Sequence, residues 1–144
     1  EGPAARMLIV ALKGAAAVWI AYALRAEPSV AALVAVAGHC FTPWLRFKGG
    51  KGVATSLGAL LALSFVVGGI ACLSWLAVFF LTRISSLSAL VALGLAPFVM
   101  WIVDGILPGT MVLLIAALVW FRHQANIQRL ARGVEPKSNF GSKP

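Results

Sequence analysis

Charge is scarce in this chain. Only 11% of its 144 residues are charged, against 61% hydrophobic, whereas soluble proteins are usually about 45–50% apolar. The Ala, Leu and Val are spread as long blocks along the whole length, not gathered in one core-sized patch. That excludes an ordinary soluble domain and points to an integral membrane protein. Cysteine is scarce as well. Cys40 and Cys72 both sit in apolar runs with no recognisable spacing, which excludes a zinc signature and favours buried, reduced thiols. No charged start leads into an apolar stretch and a small-residue cleavage site, so no signal peptide is read. An initiator Met is also missing, and residues are expected to precede Glu1. No internal repeat stands out, which weakens an inverted-repeat transporter.

What is present is a series of apolar runs with polar breaks. The first covers 7–24, interrupted only by Lys13, and ends at Arg25-Ala26-Glu27-Pro28, a polar turn with a helix-stopping proline. A second covers 29–37 and extends toward 41–45, where Pro43 should bend or end it. A third runs from Val53 to about Phe65, with Gly68-Gly69 as a break or kink before a fourth over about 70–81. A fifth covers 87–103, with Pro97 as a kink. Asp104-Gly105 and Pro108-Gly109 mark the next turn, and a sixth covers 110–121. The fold expected is an all-α, polytopic transmembrane helix bundle of about six spans. Residues 1–144 form one integral membrane domain, with 122–144 as a basic cytoplasmic tail.

The net charge of +8 would suggest nucleic acid in a soluble protein. Here the aromatics lie inside membrane-length runs, with no soluble platform to present them to bases. The positions of the cations explain the charge better. Six spans put Arg6, Arg46, Lys48, Lys51, Arg83, Arg122, Arg129, Arg132, Lys137 and Lys143 on one side of the membrane. The other side receives only Arg25, with Glu27 and Asp104. The positive-inside rule makes the basic side cytoplasmic.

Three clusters fall on that side. The first is 38–55, GHCFTPWLRFKGGKGVAT, with three cations and four glycines. Cations are costly beside lipid, so these should face water or an anion. Glycines let backbone N–H groups approach an anion without a Cβ in the way. The second is Arg83 with Ser85, Ser86 and Ser88 at a helix start, a ready anion site or plain capping. The third is the tail RHQANIQRLARG. If helical, it puts His123, Asn126 and Ile127 on one face. His123 is a general base, an oxyanion donor or simply an interfacial residue, and composition alone favours the last. His39 reads first as a packing or capping residue. Together the clusters suggest a phosphate-binding pocket. A nucleotide P-loop is excluded, because Gly52 follows Lys51 where Ser or Thr is needed and no strand precedes it.

At these residues the chain resembles the bacterial membrane acyl-phosphate:glycerol-3-phosphate acyltransferases, the PlsY family. Gly38-His39-Cys40-Phe41-Thr42-Pro43 with 47–55, FKGGKGVAT, is similar to the family's central motif, close to GHxFPxFxxFKGGKGVAT. Arg122-His123, Asn126-Ile127, Arg129-Leu130, Gly133, Glu135 and Lys137 are similar to its C-terminal motif, RHxxNIxRLxxGxExK. Arg83-Ile84-Ser85-Ser86-Leu87 is a weaker match to an R-x-x-S-L segment. The family's first motif, close to GSGNxGATNxxR, is absent, and Val10 stands where an Asp usually precedes the matching Lys13-Gly14. The family has seven spans, one more than counted here.

The resemblance implies transfer of a fatty acyl group from acyl-phosphate to the sn-1 hydroxyl of glycerol 3-phosphate, giving lysophosphatidic acid and phosphate. Acyl-phosphate, glycerol 3-phosphate and membrane lipid are the expected partners. No cofactor, metal, nucleic acid or protein partner is implied. It makes His123 and Asn126 the catalytic pair, as positioning or oxyanion-stabilising groups, with His123 as base the minor alternative. Lys48, Gly49, Gly50, Lys51, Gly52, Arg83 and Ser86 would bind the substrate phosphates. Gly38, His39 and Thr55 would orient the loop. The alternative reading is an anion-binding membrane transporter or a non-catalytic membrane subunit.

Overall fold

A computed structural model of the chain describes residues 2–41 and 51–138. Among these residues seven helices follow one another: α1 (Pro3–Ala23), α2 (Pro28–Cys40), α3 (Val53–Leu63), α4 (Phe65–Thr82), α5 (Ser85–Asp104), α6 (Ile106–Arg122) and α7 (Gln124–Ala131). No strand occurs among the described residues. The expected Pro43 bend lies outside them.

Most boundaries follow from local chemistry. The turn at 24–27 passes through Arg25 in the left-handed region. Glu27 then caps α2, accepting the Ser29 N–H (3.3 Å) and the Ser29 hydroxyl (2.8 Å), and Pro28 fills the first helical position, where no N–H is needed. Gly52, at φ 87°, starts α3. The break between α3 and α4 corrects the expectation. It falls at Ser64, which is extended and whose hydroxyl accepts the Val67 N–H at 3.3 Å. Gly68 and Gly69 are helical. A Cβ on Gly68 would strike the Leu61 backbone, so this glycine serves close helix packing and not a break. A second correction concerns Pro108-Gly109. Gly105 alone makes the turn, at φ 98°. Pro108 lies in the first turn of α6, where its missing N–H costs nothing, and Gly109 lies against the Trp101 ring. Helix α5 runs on through Pro97, which is buried.

Among the described residues three helices, α1, α4 and α5, are long and apolar enough to cross a bilayer. The pair α6 and α7, bent by 66° at His123, makes up to a fourth. The other apolar helices are shorter: α2 and α3 have 13 and 11 residues, about 20 and 16 Å at the helical rise. Large apolar side chains such as Phe65, Leu81, Ile102 and Ile106 are more than 80% exposed, as a lipid-facing surface requires.

The core between the helices is small-residue rich. Val18, Val36, Leu60, Leu93, Met100 and Ile115 fill it among many alanines. Helix α1 packs chiefly on α3, and α5 on α4 and α6. The α1–α3 contact is reciprocal. A Cβ on Gly14 would collide with the Thr55 carbonyl, and one on Gly58 with the Ala11 carbonyl. Two backbones this close gain dispersion and weak Cα–H···O contacts, the usual glue of helices in lipid. This pair fixes Lys51, just before α3, against the rest of the bundle.

Candidate active site

The starts of α3, α5 and α7 come together with Lys51, two residues before α3. Among the described residues none supplies a side-chain cap to these three helices. Their first N–H groups are therefore available to a ligand, and their dipoles favour an anion. Two cavities meet here. The larger, about 660 Å³, runs between α1, α3 and α4 and is walled mostly by apolar side chains such as Leu8, Leu57, Leu61 and Trp75. The smaller, about 460 Å³, is walled by Ser86, Asn126, Arg129 and Glu135. Lys51, Val53, Ser85 and His123 line both.

Glu135 organises the polar cavity. Gly133, at φ 72°, ends α7 and turns the chain back. The returning strap is held by the Val134 N–H on the Arg129 carbonyl (2.9 Å) and the Ser138 N–H on the Arg83 carbonyl (2.7 Å). The Glu135 side chain is thereby only 4% exposed. One of its oxygens accepts from Arg129 Nε at 2.6 Å. The other accepts from the Ser86 hydroxyl and from Asn126 Nδ2 (2.7 Å). Burial pushes the carboxyl up, but these three hydrogen bonds and the Arg129 charge outweigh it and bring it down to about 2.

Asn126 passes the arrangement on. With its amide nitrogen committed to Glu135, its oxygen accepts a hydrogen bond from Lys51 Nζ. Burial, then the nearby Arg129, lowers the Lys51 pKa. Glu135 acts the other way, and Arg122 adds to the lowering. An anion bound beside Lys51 would relieve that strain on its charge. His123 is 3% exposed, and its Nδ1 lies 2.7 Å from the Val119 carbonyl. A carbonyl can only accept, so Nδ1 carries the proton, and in the neutral form of the ring Nε2 is the acceptor.

The structure brings Lys51, Gly52, Ser86, His123 and Asn126 to one place. Gly52 has no room for a side chain: a Cβ would meet Cys40 Sγ at 2.9 Å and Val36 at 3.2 Å. Arg83 stands apart. It is the left-handed C-cap of α4, its side chain is not among those lining either cavity, and it takes part through its carbonyl. His39 lines the larger cavity. Thr55 is buried in α3 behind Gly14, and Gly38 lies in α2 with nothing within 4 Å of an added Cβ. Lys48, Gly49 and Gly50 lie outside the described residues. Sequence reasoning passed over Glu135 and Arg129 as site residues. Their signal was Arg129 three residues after Asn126, on the same helix face, with a glycine beyond it to bring Glu135 back. Among the described residues no three His, Cys, Asp or Glu side chains gather as a metal site would need.

The family model described as glycerol-3-phosphate acyltransferase matches residues 3–133. The glycerol-3-phosphate acyltransferase of Roseobacter denitrificans is 50% identical over 129 residues, 87% of this chain and 64% of that protein. That of Gluconobacter oxydans is 48% identical over 143 residues, 93% of this chain and 68% of that one. The chain thus spans about two thirds of the length of the curated relatives it matches. The crystal structure of PlsY (YgiH), an integral membrane glycerol 3-phosphate acyltransferase, in its lysophosphatidic acid form superposes with a TM-score of 0.86. It shares 32% identity and covers 92% of this chain and 70% of the other. The glycerol 3-phosphate form gives a TM-score of 0.73 at 34% identity, over 78% and 56% of the two chains. Fold, sequence and the match across nearly the whole chain agree, and the protein belongs to the glycerol-3-phosphate acyltransferase family of PlsY-type integral membrane proteins.

Proposed function

We infer that the protein transfers a fatty acyl group from acyl-phosphate to the sn-1 hydroxyl of glycerol 3-phosphate, releasing lysophosphatidic acid and phosphate. One observation carries this reading: an apolar cavity and a polar, cation-lined cavity share Lys51, Ser85 and His123. A donor with an acyl tail and a phosphate head fits such a pair, with the tail in the first and the head at the junction. The polar cavity has room for glycerol 3-phosphate beside it.

Chemically, the hydroxyl oxygen attacks the acyl carbonyl carbon, and the carbon–oxygen bond to the phosphate breaks. Phosphate is a good leaving group, so holding the two reactants together supplies much of the rate. Lys51 and the starts of α3 and α5 offset the charge of the phosphates. In the neutral ring His123 Nε2, left as the acceptor when Nδ1 donates to Val119, orients the attacking hydroxyl. The hydroxyl proton passes to it or to a substrate phosphate. Asn126 holds Lys51 in place and keeps one amide N–H for the developing oxyanion. Lys48 with Gly49 and Gly50 adds to the phosphate clamp, and Ser86 serves by fixing Glu135.

The same reading places the protein in the bacterial inner membrane as one integral domain, with the polar cavity on the cytoplasmic side. Arg122, Arg129 and Arg132 around that end support the orientation. Residues 122–144 are then a cytoplasmic extension whose first part, α7, is built into the site.

The test is phosphate release from palmitoyl phosphate by the purified protein in bilayers, with and without glycerol 3-phosphate. Release that depends on glycerol 3-phosphate, with lysophosphatidic acid formed, is the expected result. Uptake of glycerol 3-phosphate into sealed vesicles without acyl transfer would show a transporter instead.

A further inference from the structure

Lys51, Val53, Ser85 and His123 stand where the apolar and the polar cavity join. A donor with its tail on one side of that junction and its phosphate on the other has its acyl carbonyl between them, because that carbon is bonded to both. Its oxygen turns negative as the hydroxyl attacks, and it then needs a hydrogen-bond donor. Val53 has none to offer. In the neutral His123 ring the one N–H points at the Val119 carbonyl (2.7 Å), which leaves an acceptor at Nε2. Lys51 donates to Asn126, and its charge is drawn to the phosphates. Ser85 differs from all three. Among the described residues its hydroxyl makes no hydrogen bond, whereas Ser86 Oγ donates to Glu135 and Ser88 Oγ to the Ile84 carbonyl (2.8 Å). Consecutive residues of a helix point about 100° apart, so Ser86 turns to the carboxylate and Ser85 stays open to the cavities. The backbone beneath it is fixed. Ile84 N–H donates to the Thr82 hydroxyl (3.2 Å) and Ser88 N–H to the Ile84 carbonyl (3.1 Å).

We propose that Ser85 is a further catalytic residue, its hydroxyl donating a hydrogen bond to the acyl carbonyl oxygen of the donor beside the free amide N–H of Asn126. This rests on the acyltransferase reading. As the glycerol 3-phosphate hydroxyl oxygen bonds to the carbonyl carbon, the π pair of the carbonyl moves onto its oxygen. The Ser85 O–H steadies that charge and keeps its own proton. The pair then returns to the carbon as the carbon–oxygen bond to phosphate breaks, and phosphate leaves with the electrons of that bond. The proton of the attacking hydroxyl goes to His123 Nε2 or to a substrate phosphate, so Ser85 ends the cycle unchanged. A hydrogen bond to a developing charge is stronger than one to a neutral carbonyl. Ser85 therefore acts on kcat and hardly on the binding of substrate.

The experiment measures initial rates with palmitoyl phosphate and glycerol 3-phosphate in bilayers for wild type, Ser85→Ala, Ser85→Thr and Ser85→Val. Thr keeps the hydroxyl and Val puts a methyl in its place at the same shape, so this pair reads the hydroxyl even if Ala disturbs the helix start. Ser85→Ala and Ser85→Val are expected to lose about a hundredfold in kcat, the scale of one oxyanion donor, with KM for both substrates changed by less than about twofold and Ser85→Thr within about fivefold of wild type. Hexadecyl phosphate has a head and a tail but no carbonyl, and it should inhibit wild type and Ser85→Ala equally well. Unchanged kcat in Ser85→Ala overturns the proposal, and so does an equal loss in the Thr and Val variants. Weaker inhibition of Ser85→Ala by hexadecyl phosphate would make Ser85 a phosphate ligand and overturn the carbonyl assignment. A palmitoyl ester on Ser85 in the quenched protein, seen by mass spectrometry, would make it a nucleophile and overturn it too. Wild type without glycerol 3-phosphate-dependent turnover sinks the acyltransferase reading and the proposal with it, whereas normal turnover of both wild type and Ser85→Ala sinks the proposal alone.

Discussion

The two cavities that meet at Lys51 are built in opposite ways. The larger is walled by apolar side chains from α1, α3 and α4 whose contacts are many and individually weak. The smaller depends on one carboxylate. Glu135 accepts from Ser86, Asn126 and Arg129, residues drawn from α5 and α7, and Asn126 hands the order on to Lys51. The apolar side spreads its energy over many contacts, so single changes should be tolerated. The polar side concentrates it in a few buried bonds, so single changes should be felt throughout.

The comparison breaks most sharply at Lys51. Lys51→Ala should lower kcat/KM for glycerol 3-phosphate by roughly a hundredfold or more, the scale of a lost charged donor at a transition state, with melting temperature little changed. Normal turnover would remove Lys51 from the phosphate clamp. Glu135→Gln comes next. The neutral amide cannot accept from Arg129, Ser86 and Asn126 together, and a loss of tens-fold in activity is expected, with stability lowered by about 1–3 kcal/mol. Thermal unfolding and steady-state rates on the same sample separate the two effects.

Acid should expose the same dependence more gently. The Glu135 carboxyl titrates near 2 in the folded protein against an ordinary 4.5. Its contribution to stability is therefore complete above about pH 4.5 and is lost as pH falls through that value toward 2. Wild type should lose melting temperature across that window more steeply than Glu135→Gln, and parallel curves would argue that the carboxylate is not the hub. The smallest effects belong to the apolar side. His39→Ala, on the wall of the larger cavity, should cost only a few-fold in kcat/KM and much less than Lys51→Ala. A loss as large as that of Lys51→Ala would mean that the division between the two cavities is wrong.

Much of this was legible in the residues. The apolar runs became helices, α5 even through Pro97, and the turns at Arg25–Pro28 and Gly105 carry their own signals of charge, proline or glycine. Lys51, Ser86, His123 and Asn126 could be grouped because each begins or adjoins a helix and lies in a polar break or tail between apolar runs. Other features were not legible. Gly68-Gly69 reads as a break, yet Ser64 makes it, since a glycine inside an apolar helix is also what close packing needs. Arg83 reads as a phosphate ligand by its neighbours; that its carbonyl also anchors the strap, accepting from the Ser138 N–H, leaves no trace in the sequence.

The sequence by itself determined the class of the protein and the order of its helices, because these depend on composition and on neighbours along the chain. Only the tertiary structure decided that Glu135 holds Asn126, whose oxygen accepts from Lys51, and that α4 returns so close to α3 that Gly68 meets Leu61. Both depend on distances in space: the strap turned at Gly133, and the approach of α3 to α4 at Gly68. Backbone contacts of that kind leave no periodic trace in the chain that makes them.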